Sequence, residues 1–289
     1  MNNVSEAFTA HCQASGTAQI SISKHGHLCF ELQLTNDPVD VYAVQKGILA
    51  VLIGIAENRF FLERYDAMNH ILEPEWTQLE KPDEASLSVE TLLNMTTGMD
   101  DHLCLNGRIG HDWRYNNVAF QFLKQALEIQ TGEKLNELTR AWLLEPLGIE
   151  DTYWQDRSPD TEGRVFSALY STASSLRVIG EALLNDALID TEFKQTLSTP
   201  SASTNPAWHL GWWNNAADSY QIPGKNELFK GPLLPDAPPD LISARGAGGH
   251  HLSISAQKGW VIAQTMDPSR RQSDTRQGQS AFWQLIDKL

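Results

Sequence analysis

The segment Val41–Glu57 constrains the fold most strongly, because its apolar side chains fall on every face of the helix that it predicts. Such a helix is stable in water only when protein surrounds it. The segment is shorter than the roughly 20 apolar residues that span a bilayer, and it contains Lys46, so we expect a buried core helix. The helix is expected to begin near Tyr42 or Ala43, with Ala43 in its first turn.

Alternating apolar and polar residues predict strands towards both ends of the chain. Residues Gln19–Leu34 predict one hairpin, and Leu252–Ser255 with Trp260–Thr265 predicts another. Helical spacing or capping signals fall mostly between them, at Ser88–Met95, Val118–Gln130, Leu135–Leu144, Leu176–Leu184 and Gln279–Leu289. For the first of these helices we expect Ser88 as the N-cap but no capping box, because Thr91 stands where the box needs Glu or Gln.

This order of elements predicts an α+β fold. An antiparallel sheet built from both chain termini is expected to be flanked by helices, with a mostly helical lobe inserted in the middle. We expect one domain over residues 1–289, with an α/β lobe at about 1–57 and 166–289 and a helical lobe at about 58–165.

The charge balance argues against two classes of partner. The chain has 22 Lys and Arg against 36 Asp and Glu, and its net charge of −14 repels phosphate backbones and anionic lipid surfaces. We therefore expect no nucleic-acid partner, and the shortness of the apolar segment Val41–Glu57 predicts no membrane span. The cysteines Cys12, Cys29 and Cys104 are far apart, which favours reduced thiols over a disulfide framework or a zinc site. No cofactor or metal is expected.

The N-terminal residues Met1–Glu6 lack the basic and apolar regions of a secretory signal, which favours a cytoplasmic protein, with a removed signal as the alternative.

Five short segments follow one another in an order that is typical of a known family. They are Tyr42-Ala43-Val44-Gln45-Lys46, Leu92-Leu93-Asn94-Met95-Thr96-Thr97-Gly98-Met99, Tyr115-Asn116-Asn117, Glu145-Pro146-Leu147-Gly148-Ile149 and Gly246-Ala247-Gly248-Gly249. With them the chain resembles the serine β-lactamase-related superfamily, which includes class C β-lactamases, penicillin-binding carboxypeptidases, esterases and 6-aminohexanoate-dimer hydrolases. The resemblance covers most of the chain. It implies a β-lactamase/transpeptidase-like fold and hydrolysis of a small amide or ester through a serine acyl-enzyme.

The first segment departs from the family's Ser-x-x-Lys motif, because Ala43 occupies the serine position while Lys46 is retained. Residues three apart share one face of a helix, so the family's lysine lies beside the hydroxyl that it activates. A methyl group cannot form an acyl-enzyme, and loss of the nucleophile lowers the turnover of a serine hydrolase by about a millionfold. We therefore expect this chain to be impaired or inactive in acyl transfer. Two origins of Ala43 are open: natural loss, or a replacement engineered to trap substrate.

The resemblance implies further site residues. Tyr115 takes part in proton transfer, and Asn117 holds the substrate. Each has a structural alternative: Lys46 as a core lysine, Tyr115 as an ordinary half-buried tyrosine, and Asn117 as the N-cap of the following helix.

The last segment is expected to form another part of the site. The backbone N–H groups of residue 43 and Ala247 would stabilise an oxyanion, and Gly248, Gly249 and His250 would line the substrate site. Neither Lys-Thr-Gly nor His-x-Gly, which the family often has in its third motif, appears cleanly there. Neighbouring histidines on a strand point in opposite directions, so His250 and His251 are not expected to bind metal together.

Two other Ser-x-x-Lys matches, Ser21–Lys24 and Ser255–Lys258, are interpreted as chance. The first lies in a predicted strand, where residues three apart face opposite sides, and the second lies at a hairpin tip. The tryptophans Trp208, Trp212 and Trp213 are compatible with core packing and with a wall of the site.

The leading hypothesis is a β-lactamase-related hydrolase homologue that takes a small-molecule amide, ester or peptide carboxylate and lacks its nucleophile. An alternative is a non-catalytic ligand-binding or regulatory protein that uses the inherited cleft. A third is hydrolysis by a water molecule that Lys46 and Tyr115 hold. The oligomeric state is left open.

Overall fold

The computed structural model describes residues 3–225, 227–270 and 276–289. The strands are β1 (Thr17–Lys24), β2 (His27–Gln33), β3 (Val39–Asp40), β4 (Tyr153–Asp156), β5 (Ser167–Ser171), β6 (Trp208–His209), β7 (Trp212–Asn214), β8 (Ser219–Tyr220), β9 (Phe229–Lys230), β10 (Ile242–Arg245), β11 (His251–Ser255) and β12 (Trp260–Met266). The α-helices are α1 (Asn3–Ser15), α2 (Val44–Asn58), α3 (Lys81–Ala85), α4 (Val89–Leu93), α5 (Asn117–Thr131), α6 (Leu135–Thr139), α7 (Ala173–Leu184), α8 (Thr191–Leu197) and α9 (Arg276–Ile286).

Shorter helical turns complete these elements. Met68–His70 and Glu145–Leu147 are 3₁₀-helices, and Arg140–Leu144 is a π-helical turn. The helix expected over Leu135–Leu144 is therefore α-helical only to Thr139. The combination of antiparallel strands and helices confirms the predicted α+β class.

The chain divides into two compact units. The first comprises Met1–Gln45, Leu144–Ala187 and Leu234–Leu289, and the second comprises Lys46–Leu143 and Leu188–Leu233. These boundaries differ from those of the expected lobes, which placed everything after residue 166 in the α/β lobe. Within the second unit the segment 188–233 packs on earlier helices: Trp208 Nε1 donates to Leu93 O at 3.0 Å.

The first unit contains five neighbouring antiparallel strands in the order β2-β1-β12-β11-β10. Strand β1 lies between β2 and β12, with Ile22 opposite Phe30 of β2 and Ile262 of β12. Residues from both ends of the chain therefore build this sheet, as the sequence predicted. Strands β3, β5 and β4 form a second, smaller sheet.

Helices cover the strands of the first unit through apolar contacts. Helix α7 packs so closely that a Cβ on Gly180 would lie 2.6 Å from a Val261 methyl. The sequence analysis did not predict α1, whose Phe8 ring lies edge-on to Phe282 of α9 at 5.6 Å. These contacts place the core of the unit between the sheet and its helices.

The second unit contains most of α2 together with α3 to α6, α8 and the β6–β7 and β8–β9 pairs. The buried helix expected from the sequence is present, but it begins at Val44. Ala43 therefore lies in the turn before the helix and not in its first turn, because Tyr42 adopts a non-helical conformation.

Ser88 caps α4 as predicted, but the expectation of no capping box is wrong. Ser88 Oγ accepts from Thr91 N at 3.2 Å, and Thr91 Oγ1 accepts from Ser88 N at 2.9 Å. The threonine hydroxyl thus replaces the usual carboxylate or amide of the box. Among the described residues, none of the helices combines the length and the apolar composition that a bilayer crossing requires.

Candidate functional site

The turn before α2 holds a strained residue next to Ala43. Tyr42 has a φ of 51°, a left-handed conformation that costs a non-glycine residue about 1–2 kcal/mol. Its N–H donates to Asp40 Oδ1 at 2.8 Å. Arg157 donates two hydrogen bonds, of 2.7 and 2.8 Å, to the Asp40 carboxylate. The Arg157 guanidinium lies 5.2 Å from the centre of the Tyr42 ring. The Asp40–Arg157 pair therefore stabilises the conformation that leads into Ala43.

The glycine-rich segment lies directly against this turn, in the same unit. A Cβ on Gly246 would collide with Val41 O and would lie 3.2 Å from Tyr42 Cβ, so only glycine allows the approach. After it, Gly248 and Gly249 have φ values of 90° and 108°, which closes the connection between β10 and β11.

Two backbone donors adjoin this contact. The N–H groups of Ala43 and Ala247 have no acceptor within the described part of the chain. Ala43 is half-buried and Ala247 is exposed. Backbone N–H groups left without acceptors at neighbouring turns are what an oxyanion site requires. The structure thus places the segments of Ala43 and Ala247 side by side, while their pairing around an oxyanion stays a prediction.

Both histidines after the glycines are buried. His250 Nδ1 accepts from Met266 N at 3.3 Å, and its ring lies 5.4 Å from the Tyr42 ring. His251 Nδ1 lies 3.0 Å from Ser253 Oγ, and its ring meets Phe282 edge-on. Burial lowers the pKa of His251 well below its ordinary value, so this imidazole is neutral. His250 packs against the Tyr42 ring, whereas His251 packs in the core.

Lys46, in the second unit, is 2% exposed and is surrounded by groups that favour a cation. Its Nζ donates to Asn117 Oδ1 at 2.8 Å. The same Nζ lies 5.1 Å from the centre of the Tyr115 ring and 4.5 Å from that of Phe120. An amide oxygen and two ring faces offset part of the cost of removing the ammonium from water. The structure therefore brings together Lys46, Tyr115 and Asn117.

The N-cap of α5 is Asn116 and not Asn117. Asn116 Oδ1 accepts from Ala119 N at 2.9 Å, and its Nδ2 donates to Asp100 O at 2.8 Å. Because Asn116 supplies the cap, the Oδ1 of Asn117 is available to Lys46. The structural alternative for Asn117 is therefore wrong.

Tyr115 rests against a group of tryptophans. Its ring lies 6.2 Å from Trp113 and 5.9 Å from Trp208, and Trp208 meets Trp213 edge-on at 5.0 Å. Trp208, Trp212 and Trp213 are all at most 7% exposed, so core packing accounts for them. The sequence analysis missed Trp113, although its place two residues before Tyr115 was a signal.

A cavity of about 690 Å³ opens within the second unit, and its wall includes both Tyr115 and Asn117. Four charged residues also line it: Asp101, Asp112, Arg114 and Lys225. Asp112 is paired, because Arg108 Nη2 lies 2.8 Å from its Oδ1 and holds the pKa of this carboxyl well below its usual range.

The two other Ser-x-x-Lys matches do not form nucleophile sites. Ser21 Oγ donates to Glu31 Oε1 at 2.9 Å, and Lys24 Nζ lies over the Trp260 ring at 4.4 Å. Ser255 Oγ donates to Asp240 Oδ1 at 2.7 Å. Within the described ranges, no group of three or more His, Cys, Asp or Glu residues is arranged to hold a metal ion.

Comparison with known proteins relates the chain to a family. Residues 23–277 match the family model described as Beta-lactamase. A protein from Bacteroides dorei DSM 17855 assigned as a β-lactamase has a TM-score of 0.73 at 14% identity, covering 99% of this chain and 98% of its own. A penicillin-binding protein from Bacillus halodurans has a TM-score of 0.71 at 14% identity, covering 96% and 98%.

A Bacillus anthracis protein assigned as a 6-aminohexanoate-dimer hydrolase has a TM-score of 0.72 at 12% identity, covering 97% of this chain and 80% of its own. No match was found among curated protein sequences. The structural likenesses show the fold, and the family model matches far more than half of the chain. This chain therefore belongs to the β-lactamase family.

Proposed function

We propose that this protein is a β-lactamase-family hydrolase homologue that binds a small amide, ester or peptide carboxylate without forming an acyl-enzyme. The observation that carries the proposal is that Lys46 Nζ contacts both Asn117 Oδ1 and the Tyr115 ring. Lys46 follows Ala43 by three residues, which is the spacing of the family's Ser-x-x-Lys motif. We interpret these contacts as the surroundings of the family's nucleophile, in a chain that has alanine at the serine position.

The chemistry that remains is binding and polarisation. A family-type reaction begins when a serine hydroxyl passes its proton to a base and its oxygen bonds to the substrate carbonyl. The Ala43 methyl has neither an oxygen for the new bond nor a proton to give. The unbonded N–H groups of Ala43 and Ala247 still support a polarised carbonyl, and Asn117 Nδ2 supports a hydrogen bond to ligand.

Restoring the hydroxyl tests the proposal. In Ala43→Ser we expect hydrolysis of a nitrophenyl ester to rise by at least about a hundredfold over the unaltered protein, since a lost nucleophile accounts for far more than this. Mass spectrometry should detect an acyl adduct on residue 43. Ala256→Ser, at an exposed hairpin tip, is the matched control and should form no adduct.

Other outcomes separate the alternatives. A silent Ala43→Ser protein, alongside tight ligand binding by the unaltered chain, would contradict a latent hydrolase and favour the non-catalytic binder. Turnover by the unaltered chain that disappears in Tyr115→Phe would instead favour hydrolysis by a bound water.

A further inference from the structure

We propose that the cavity of the second unit holds the anionic end of its ligand with Arg114 and Lys225, so that the ligand is a small amide or ester carrying a carboxylate. The inference rests on the proposed function and names the class of ligand. It assigns the charge-recognising part of the site to the loop before Tyr115 and to residues 221–225, not to the glycine-rich segment.

The first observation is that, among the described residues, neither of the two cations on the cavity wall is held in a salt bridge, although the charge of Arg114 is one of the causes that lower the pKa of the Asp100 carboxyl. Arg114 Nη1 donates to the neutral Asn106 Oδ1 at 3.0 Å, and the Lys225 ammonium lies 5.7 Å from the Phe229 ring. In the part of the chain that the structure describes, neither side chain forms a salt bridge. The protein has a net charge of −14, so two positive side chains on one cavity wall depart from the negative charge of the molecule as a whole.

The second observation is that the position of Arg114 is set by its backbone. Its N–H donates to Met95 O at 2.8 Å, and the preceding residue, Trp113, donates its N–H to Thr204 Oγ1 at 2.8 Å. The guanidinium therefore extends from a loop segment whose backbone is held by these hydrogen bonds. Four of its five N–H donors remain after the bond to Asn106, which suffices for a two-point contact with a carboxylate.

The neutral polar group on the same wall also favours an acceptor-bearing ligand. Asn117 Oδ1 is occupied by Lys46 Nζ, so the amide presents its Nδ2 donors. An amide or ester carbonyl near Asn117 with a carboxylate towards Arg114 and Lys225 would satisfy all three groups.

The acidic residues of the wall oppose an anion only in part. Asp112 is neutralised by Arg108 and also accepts from the Arg108 backbone N–H at 3.0 Å. Asp101 adds a negative charge to the cavity wall and weakens the attraction. This gives the proposal a second, opposite prediction: removing the Asp101 charge should strengthen the binding of an acid.

Calorimetric titration of the unaltered protein with matched probes tests the assignment. The probes are N-benzoylglycine, its uncharged amide N-benzoylglycinamide, and phenyl phosphate. We expect the acid to bind at least about tenfold more tightly than the amide, as one charge-assisted contact allows. Its affinity should fall as salt is raised, since the cations are exposed. Equal affinities for acid and amide, absence of binding included, would overturn the proposal, and tighter binding of phenyl phosphate would overturn the choice of carboxylate.

Substitutions then locate the contact. Arg114→Gln and Lys225→Gln should each lower the affinity for the acid by about five- to tenfold and leave the affinity for the amide unchanged. Asp101→Asn should raise the affinity for the acid. Lys258→Gln removes the same charge from an exposed hairpin tip and should alter the affinity for neither probe. Equal weakening of both probes by Arg114→Gln would contradict the assignment.

These measurements can fail independently of the proposed function. Adduct formation by Ala43→Ser uses an uncharged ester, so that result stands whatever the acid and amide titrations show. Conversely, a preference for the acid in the unaltered protein does not depend on a nucleophile at residue 43.

Discussion

At the scale of single residues, Lys46 shows why one cation is tolerated in a helix that is mostly apolar. A buried ammonium is costly unless it is hydrogen-bonded, and Asn117 Oδ1 at 2.8 Å supplies such a bond. The faces of Tyr115 and Phe120 add a favourable electrostatic contribution. The same contacts that stabilise the cation also form the candidate site, so the proposed function would use atoms that contribute to stability.

Asn117→Ala is expected to lower the free energy of unfolding by about 2–3 kcal/mol, because it removes the acceptor of a hydrogen bond from a buried charge. Adding Lys46→Met should recover most of this loss, since no cation remains to be stabilised. Urea unfolding of both single variants and the double variant gives the coupling free energy. Additive effects, with a coupling below about 0.5 kcal/mol, would mean that the contact does not matter for stability.

At the scale of elements, the position of α2 depends on a close backbone approach. Gly211 has a φ of 82°, and a Cβ on it would lie 2.8 Å from Lys46 O. The next residue, Trp212, donates its Nε1–H to Gly47 O at 3.2 Å. The turn between β6 and β7 therefore contacts α2 at Lys46 and Gly47.

Gly211→Ala is expected to destabilise the protein by about 2–4 kcal/mol, combining the strain of a positive φ with overpacking against Lys46 O. Gly231→Ala is the matched control, because Gly231 has a φ of 87° and nothing within 4 Å of an added Cβ. We expect the control to cost about 1–2 kcal/mol. Thermal and urea unfolding measure the difference, and equal losses in the two variants would rule out the close approach as the cause.

Helix ends and capping illustrate what local sequence predicts at this scale. The Ser88 cap was predictable, because N-cap preferences act within one turn of a helix. The assignment of Asn116 rather than Asn117 to the cap of α5 was not, because both residues satisfy the same local preference. The partner of the other amide is a distant residue, because Asn117 Oδ1 accepts from Lys46 Nζ, which lies 71 positions away in the sequence.

At the scale of the whole molecule, burial of ionisable groups makes stability depend on pH. His251 is neutral in the folded state because burial lowers its pKa well below 6.5. The unfolded chain binds a proton there once the pH falls below the ordinary value. The contribution of His251 to stability is therefore present above about pH 6.5 and is lost as the pH decreases towards its folded pKa.

We predict that the stability advantage of the unaltered protein over His251→Gln shrinks between about pH 7 and pH 5, by up to about 1.4 kcal/mol per pH unit. Urea unfolding of both proteins across this range measures the advantage. His27→Gln replaces an exposed histidine and should keep the pH dependence of the unaltered protein. A His251→Gln protein that keeps the same pH dependence would disprove the assignment.

The sequence by itself determined the features that depend on short-range patterns. A segment with apolar residues on every helical face predicted the buried α2 helix, alternation of apolar and polar residues predicted the terminal strands of the sheet, and the order of motifs predicted the family. The alanine at position 43 and the net charge of −14 needed no structure either. These features rest on neighbours a few residues apart, where spacing alone decides which side chains share a face.

Only the tertiary structure decided which distant residues meet. Asp40 and Arg157 are 117 positions apart, yet together they stabilise the Tyr42 turn before Ala43. The tertiary structure likewise placed residues 188–233 with the second unit and put Arg114 and Lys225 on one cavity wall. No local preference encodes such contacts, because they follow from the packing of whole elements, where burial and satisfied hydrogen bonds select one arrangement among many.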